Sequence, residues 1–80
     1  MNDQLLNEWF DNLKYEDKCV AIYLCASDTF TPAELKKQFT PEEMLRDTYG
    51  KVWNNDELNR ERFFNIPLED KQFAYEKMNK

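Results

Sequence analysis

Four adjacent carboxylate pairs, Glu16-Asp17, Glu42-Glu43, Asp56-Glu57 and Glu69-Asp70, are the groups in this chain best suited to chemistry. Such pairs perform acid–base work when burial keeps one member protonated beside an ionised neighbour. Most of these pairs, however, fall in or beside the first turns of expected helices. There, negative charge offsets the positive end of the helix dipole, a structural role that needs no active site. Histidine is absent, which removes the usual general base near neutral pH and the commonest metal ligand. Cys19 and Cys25 lie six residues apart in an apolar run. On one helix they point in different directions, which is poor geometry for a bridge, and their spacing is not that of a zinc site. They read as buried thiols, reduced as in the cytoplasm. No nucleophile elbow, Walker A loop or dinucleotide fingerprint is present, and a single glycine leaves little from which to build a phosphate cradle. We therefore expect no enzymatic activity, no cofactor and no obligatory metal.

A chain of 80 residues without catalytic groups acts through its surface. The aromatic content is 15%, and the rings that fit no clear buried stripe are Trp53, Phe63, Phe64 and Phe73. Aromatic side chains are favoured anchors of protein interfaces. Glu42, Glu43 and Asp47 fall on the outer side of one expected helix, against a single Arg46. Together, Glu42, Glu43, Asp47, Trp53, Phe63 and Phe64 form the expected partner-binding patch: an apolar anchor rimmed by negative charge, suited to a protein with a basic edge around a groove.

The elements that must position these residues follow from their start signals. Phe30-Thr31-Pro32-Ala33-Glu34-Leu35, Phe39-Thr40-Pro41-Glu42-Glu43-Met44 and Trp53-Asn54-Asn55-Asp56-Glu57-Leu58 repeat one pattern. A Thr or Asn caps the helix and a Glu three residues later reaches back to the cap. An apolar residue before the cap staples onto the fourth helical residue. In the first two, proline takes the first helical position, where its missing N–H costs nothing. Helices are expected at 32–39 and 41–49, with almost no loop between them because Thr40 precedes a proline, and Gly50 suits the left-handed position after the second. Residues 3–13 read as an amphipathic helix capped by Asn2 or Asp3, with Leu5, Leu6, Trp9, Phe10 and Leu13 in one arc. Residues 15–27 are apolar nearly all round, a pattern that fits a buried helix or a buried strand. The charged lead-in Glu16-Asp17-Lys18 favours the central helix. Residues 51–66 admit a helix over 55–63 or a hairpin. A last helix over 67–78 carries Leu68, Ala74, Tyr75 and Met78 on one side. The fold class is all-α: one domain over 1–80, with five or six short helices around the 15–27 segment.

Residues 17–50 thus give three short helices with a tight second corner, a spacing that resembles a helix-turn-helix. Its third helix would be the reading helix, yet it carries Glu42, Glu43 and Asp47, whereas base and phosphate contacts call for donors and positive charge. The net charge of −5 likewise disfavours nucleic acid and anionic membranes. It is unevenly spread: Asp3, Glu8, Asp11, Glu16 and Asp17 outweigh Lys14 and Lys18 at the start of the chain, and a second excess lies over 41–50. A nucleic-acid mimic, with carboxylates in place of phosphates, is an alternative if those two segments share a face. The residues Met1-Asn2-Asp3-Gln4 do not look like a signal peptide, and the apolar run Cys19–Ala26 is too short to span a bilayer. Lys, Asn, Phe and Tyr, residues with AT-rich codons, are frequent, and small acidic chains of this kind are common in phages. The expectation is a cytoplasmic, phage-like modulator or inhibitor that binds another protein.

Overall fold

In the computed structural model, residues 1–49 and 56–79 are described, apart from the side chains of Tyr49 and Asp56. They form six α-helices: α1 Asp3–Asp11, α2 Tyr15–Ala26, α3 Pro32–Gln38, α4 Pro41–Tyr49, α5 Asp56–Phe64 and α6 Leu68–Met78. No strand occurs among the described residues. The expected cap at Asn54 and turn at Gly50 lie outside them. The Cα radius of gyration is 11.3 Å, close to the roughly 11.6 Å that a single domain of this length should have.

Helix α2 is the axis of the molecule. Cys19, Val20, Ala21, Ile22 and Leu24 are all buried, on every side of the helix, so α2 needs neighbours all round. It touches each of the other five helices, and most closely α4 and α6. The segment is a helix over Tyr15–Ala26, with Ser27 already extended, and its twelve residues exceed the usual length of a strand bounded by turns.

The two Thr-Pro starts form as their chemistry requires. The Thr31 hydroxyl accepts from the Glu34 N–H at 3.2 Å, and the Glu34 carboxylate accepts from the Thr31 N–H at 3.0 Å. Thr40 and Glu43 repeat the exchange at 3.2 and 2.9 Å. Phe30 and Phe39, each just before a cap, pack on the core that holds Leu35 and Met44. The two rings meet edge to face, with centroids 5.6 Å apart, and both lie beside Tyr23 of α2. One aromatic cluster thereby fixes both helix entries against the central helix. At the N-terminus, Asn2 Oδ1 accepts from Leu5 N at 2.9 Å.

The expected faces at Leu5 and Leu68 need correction. Helix α1 stops at Asp11, and Leu5 of its expected arc is 48% exposed; Leu6 and Phe10 carry the burial. Leu68 at the start of α6 is 42% exposed. The buried face of α6 is set instead by Ala74 and, unexpectedly, by Lys71, which is 1% exposed. Its ammonium pairs with the Asp3 carboxylate at 2.7 Å and donates to Asn7 Oδ1 at 3.0 Å. It also lies 3.5 Å from the Phe64 carbonyl oxygen and 5.6 Å from the Phe63 ring centroid. Asp3 is 62% exposed, so its carboxylate stays hydrated while the lysine stem fills the core. Finally, α5 buries Asn59 and Phe63 and leaves Leu58 42% exposed.

Replacing Thr31 or Thr40 by Ala should lower stability by about 1 kcal/mol each, read from denaturant midpoints. Glu34 and Glu43 are held below their ordinary value of 4.5, first by the cap backbone N–H and then by the threonine hydroxyl. A lowered folded value stabilises the protein above the unfolded value, and that contribution is lost as pH falls through the folded one. The double variant Glu34→Gln, Glu43→Gln should therefore lose less stability than wild type when the pH drops below about 4.5.

For Lys71, substitution by Met should be tolerated far better than substitution by Ala. Met keeps the stem that fills the core and removes the buried charge. Ala leaves a cavity costing roughly 2–4 kcal/mol. Comparing the two midpoints checks whether packing or charge dominates the tie between α1 and α6.

Candidate functional site

Of the expected patch, Phe63 needs correction. Phe63 is fully buried, stacked on Phe10 with centroids 4.1 Å apart and planes 7° from parallel. Burying such a ring contributes about 1.5–3 kcal/mol, and its stacking adds to this. It is a core residue and cannot anchor a partner. The physical reason is that α5 packs on α1, which turns position 63 inward. Phe64 is half-buried against the core, with the Arg60 guanidinium 4.8 Å from its centroid. Arg60 also pairs with Asp11 at 2.9 Å. Glu42, Glu43 and Asp47 are exposed on α4, which packs on α2; Met44 and Leu45 take its buried side. Glu43 is committed to capping. The acidic residues lie on α4 and the two phenylalanines on α5, both of which pack on α2, and Trp53 lies outside the described residues. Of the two acidic segments a phosphate mimic would use, the first spans α1 and the first turn of α2, which carries Glu16 and Asp17, and the second is α4, which packs on α2.

An apolar surface bounded by carboxylates forms elsewhere. A cleft of about 300 Å³ opens between the C-terminal end of α2 and α6. Leu24, Cys25, Ala26, Ser27 and Asp28 line one side; Asp70 and Phe73 line the other. Phe73 is 39% exposed, among the most exposed large apolar side chains of the described residues. Neither Asp28 nor Asp70 enters an ion pair with a described residue. The last turn of α2 carries no basic residue, so nothing on that helix offsets the negative end of its dipole. Lys77, one turn beyond Phe73, borders the cleft. Its ammonium lies 5.3 Å from the Phe73 centroid and donates to the Asp28 carbonyl at 2.7 Å.

Cys25 sits half-buried in this cleft and Cys19 is buried; both are free thiols. The Cys25 thiol is pushed up to about 12, first by burial and then by the Asp70 charge, with Lys71 acting in the opposite sense. At neutral pH it is therefore protonated and a poor nucleophile. Among the described residues no group of three His, Cys, Asp or Glu side chains could hold a metal. No described helix is long and apolar enough to cross a membrane.

Two further hollows border α3 and the end of α6, one lined by Thr31, Pro32, Ala33, Lys77 and Met78, the other by Trp9, Leu13, Asp17, Pro32, Lys36, Met78 and Asn79. Their two lysines are already engaged, Lys36 with Asp17 at 2.5 Å and Lys77 with the Asp28 carbonyl. Neither of these hollows has a large apolar side chain as exposed as Phe73.

The sequence contains part of this site. Phe73 departs from the α6 stripe, and Glu69-Asp70 is one of its acidic pairs. What it does not contain is that Asp28 and Asp70 come together across the cleft. No protein-family model, curated protein or solved structure matches this chain.

With Cys25 held protonated and Cys19 buried, iodoacetamide should label the native protein slowly at pH 7.5 and both cysteines rapidly in denaturant. Mass spectrometry of the alkylated chain reads the difference.

Proposed function

We propose that this protein is a non-enzymatic binding module that modulates a larger protein, and that it docks through the α2/α6 cleft. The carrying observation is that the exposed Phe73 lines one cleft with Asp28 and Asp70 at the C-terminal end of α2, whose last turn has no basic residue of its own. An aromatic side chain on a concave surface supplies desolvated area, the property that makes interface hot spots. The carboxylates add attraction for a basic rim and exclude acidic competitors. The absence of histidine and the protonated Cys25 thiol support a role without catalysis. The partner is a protein with a basic edge around its contact surface. In keeping with the composition, we place this activity in the cytoplasm, with a phage-like modulator or inhibitor as the best description.

The test is affinity capture from host lysate with wild type, Phe73→Ala and Asp70→Asn, each first shown to melt like wild type. A partner retained by wild type should be lost with Phe73→Ala. With Asp70→Asn its association should slow and depend less on salt. Equal retention by all three proteins would overturn the assignment.

A further inference from the structure

The cleft proposed above as a docking site has a chemistry that selects one kind of side chain. Its lining residues include two aspartates, the end of a helix and a phenylalanine, and the positive group beside them is the Lys77 ammonium over the ring. Negative charge beside an aromatic face is the environment that attracts an organic cation. The protein itself shows this attraction at the edge of the cleft. The Lys77 ammonium sits over Phe73 and on the Asp28 carbonyl oxygen, at 5.3 and 2.7 Å, although solvent is within its reach. The field of Asp70 is also felt inside the cleft, where it helps to keep the Cys25 thiol protonated.

We propose that the cleft receives an arginine side chain from a basic segment of the partner, its guanidinium stacked on Phe73 and paired with the Asp28 and Asp70 carboxylates, next to the position that Lys77 occupies. This inference rests on the binding role proposed above and adds the identity of the group that enters. Arginine fits better than lysine for physical reasons. Its planar guanidinium stacks on a ring, offers a fork of donors to carboxylates and is less strongly hydrated than an ammonium. Leu24 and Ala26 provide apolar wall for its methylene stem. Lys77 acts as a resident competitor: its charge partly satisfies the same ring and the same end of α2, and an incoming guanidinium must displace or outbid it.

The experiment is a titration of the ¹⁵N-labelled protein with a capped Leu-Arg-Leu peptide, followed by amide chemical shifts. Parallel titrations use the same peptide with lysine and with citrulline, which keeps the shape of arginine and removes its charge. The arginine peptide should shift residues 24–28 and 70–77 saturably, the lysine peptide less, and the citrulline peptide not at all. Asp70→Asn and Phe73→Leu should each weaken the response by about threefold or more. Lys77→Gln, which retains a donor for the Asp28 carbonyl, should strengthen it. Shifts centred on Glu42, Glu43 and Asp47, an equal response to citrulline, or no shift at millimolar peptide would overturn the arginine assignment. If those results accompanied a partner whose capture still needs Phe73, the binding role would stand without it. An arginine response at the cleft, with capture indifferent to Phe73→Ala, would instead retain the arginine site and remove the docking role.

Discussion

Everything in this fold depends on enclosing α2. A helix that is apolar on all sides has no face to offer water, and five short helices supply the enclosure. At this chain length there is little surplus area with which to do so. Large rings therefore provide much of the cover. Phe10 stacks on Phe63, Trp9 meets Tyr75 edge to face at 5.0 Å, and Tyr23 joins Phe30 and Phe39. Even lysine stems are recruited. Lys71 fills core volume as a long aliphatic chain would, and its ammonium is accommodated only because Asp3, Asn7 and the Phe64 carbonyl converge on it. Breaking such a pair exposes a buried charge, whereas an apolar replacement of similar volume dispenses with it.

The same demand explains where the functional surface lies. Rings that the enclosure can use are turned inward, and Phe63 is one of them. Phe73 escapes because its position on α6 lies beside the end of α2, where that helix runs out and the chain turns away through Ser27 and Asp28. The cleft is thus the place where the wrapping is incomplete. Its negative character comes from the same cause, since the exposed end of α2 presents carbonyl oxygens. Exposed ion pairs elsewhere, such as Arg60–Asp11 and Lys36–Asp17, contribute little to stability. They do neutralise neighbouring acidic surface and so leave the cleft more distinct.

The helices were legible in the sequence because their starts are local chemistry. Thr31 with Glu34 and Thr40 with Glu43 need only three residues of context, and both boxes form with the expected partners. The apolar run of α2 was likewise legible as the centre. Which faces turn inward was less so. A hydrophobic stripe is a sum over one helix, whereas Phe63, Lys71 and Leu68 were assigned their environments by neighbours distant in sequence. Lysine in particular reads as surface on any composition scale, and only the position of Asp3 and Asn7 makes its burial favourable. The acidic side of α4 was readable from spacing, but the burial of Phe63 follows from α5 choosing α1 as its neighbour. The α2/α6 cleft depends on residues 28 and 70 meeting, a pairing that no local pattern encodes.

The ties from α1 to α6 bear on how the protein is made. The Met1 amine donates to Gln72 at 3.0 Å and Asp3 reaches Lys71, across spans of about seventy residues. During synthesis the first helix is therefore among the earliest to leave the ribosome and among the last to find its place. Until α6 emerges, α2 lacks one of its two closest neighbours, and the apolar side that α6 will cover stays bare. Local capping lets the single helices form early, but closure waits for contacts about seventy residues apart, whose loop entropy must be met late. A nascent chain of this kind spends its elongation as a set of preformed helices around an uncovered centre. Its exposure to aggregation is set by translation time rather than by the speed of its secondary structure.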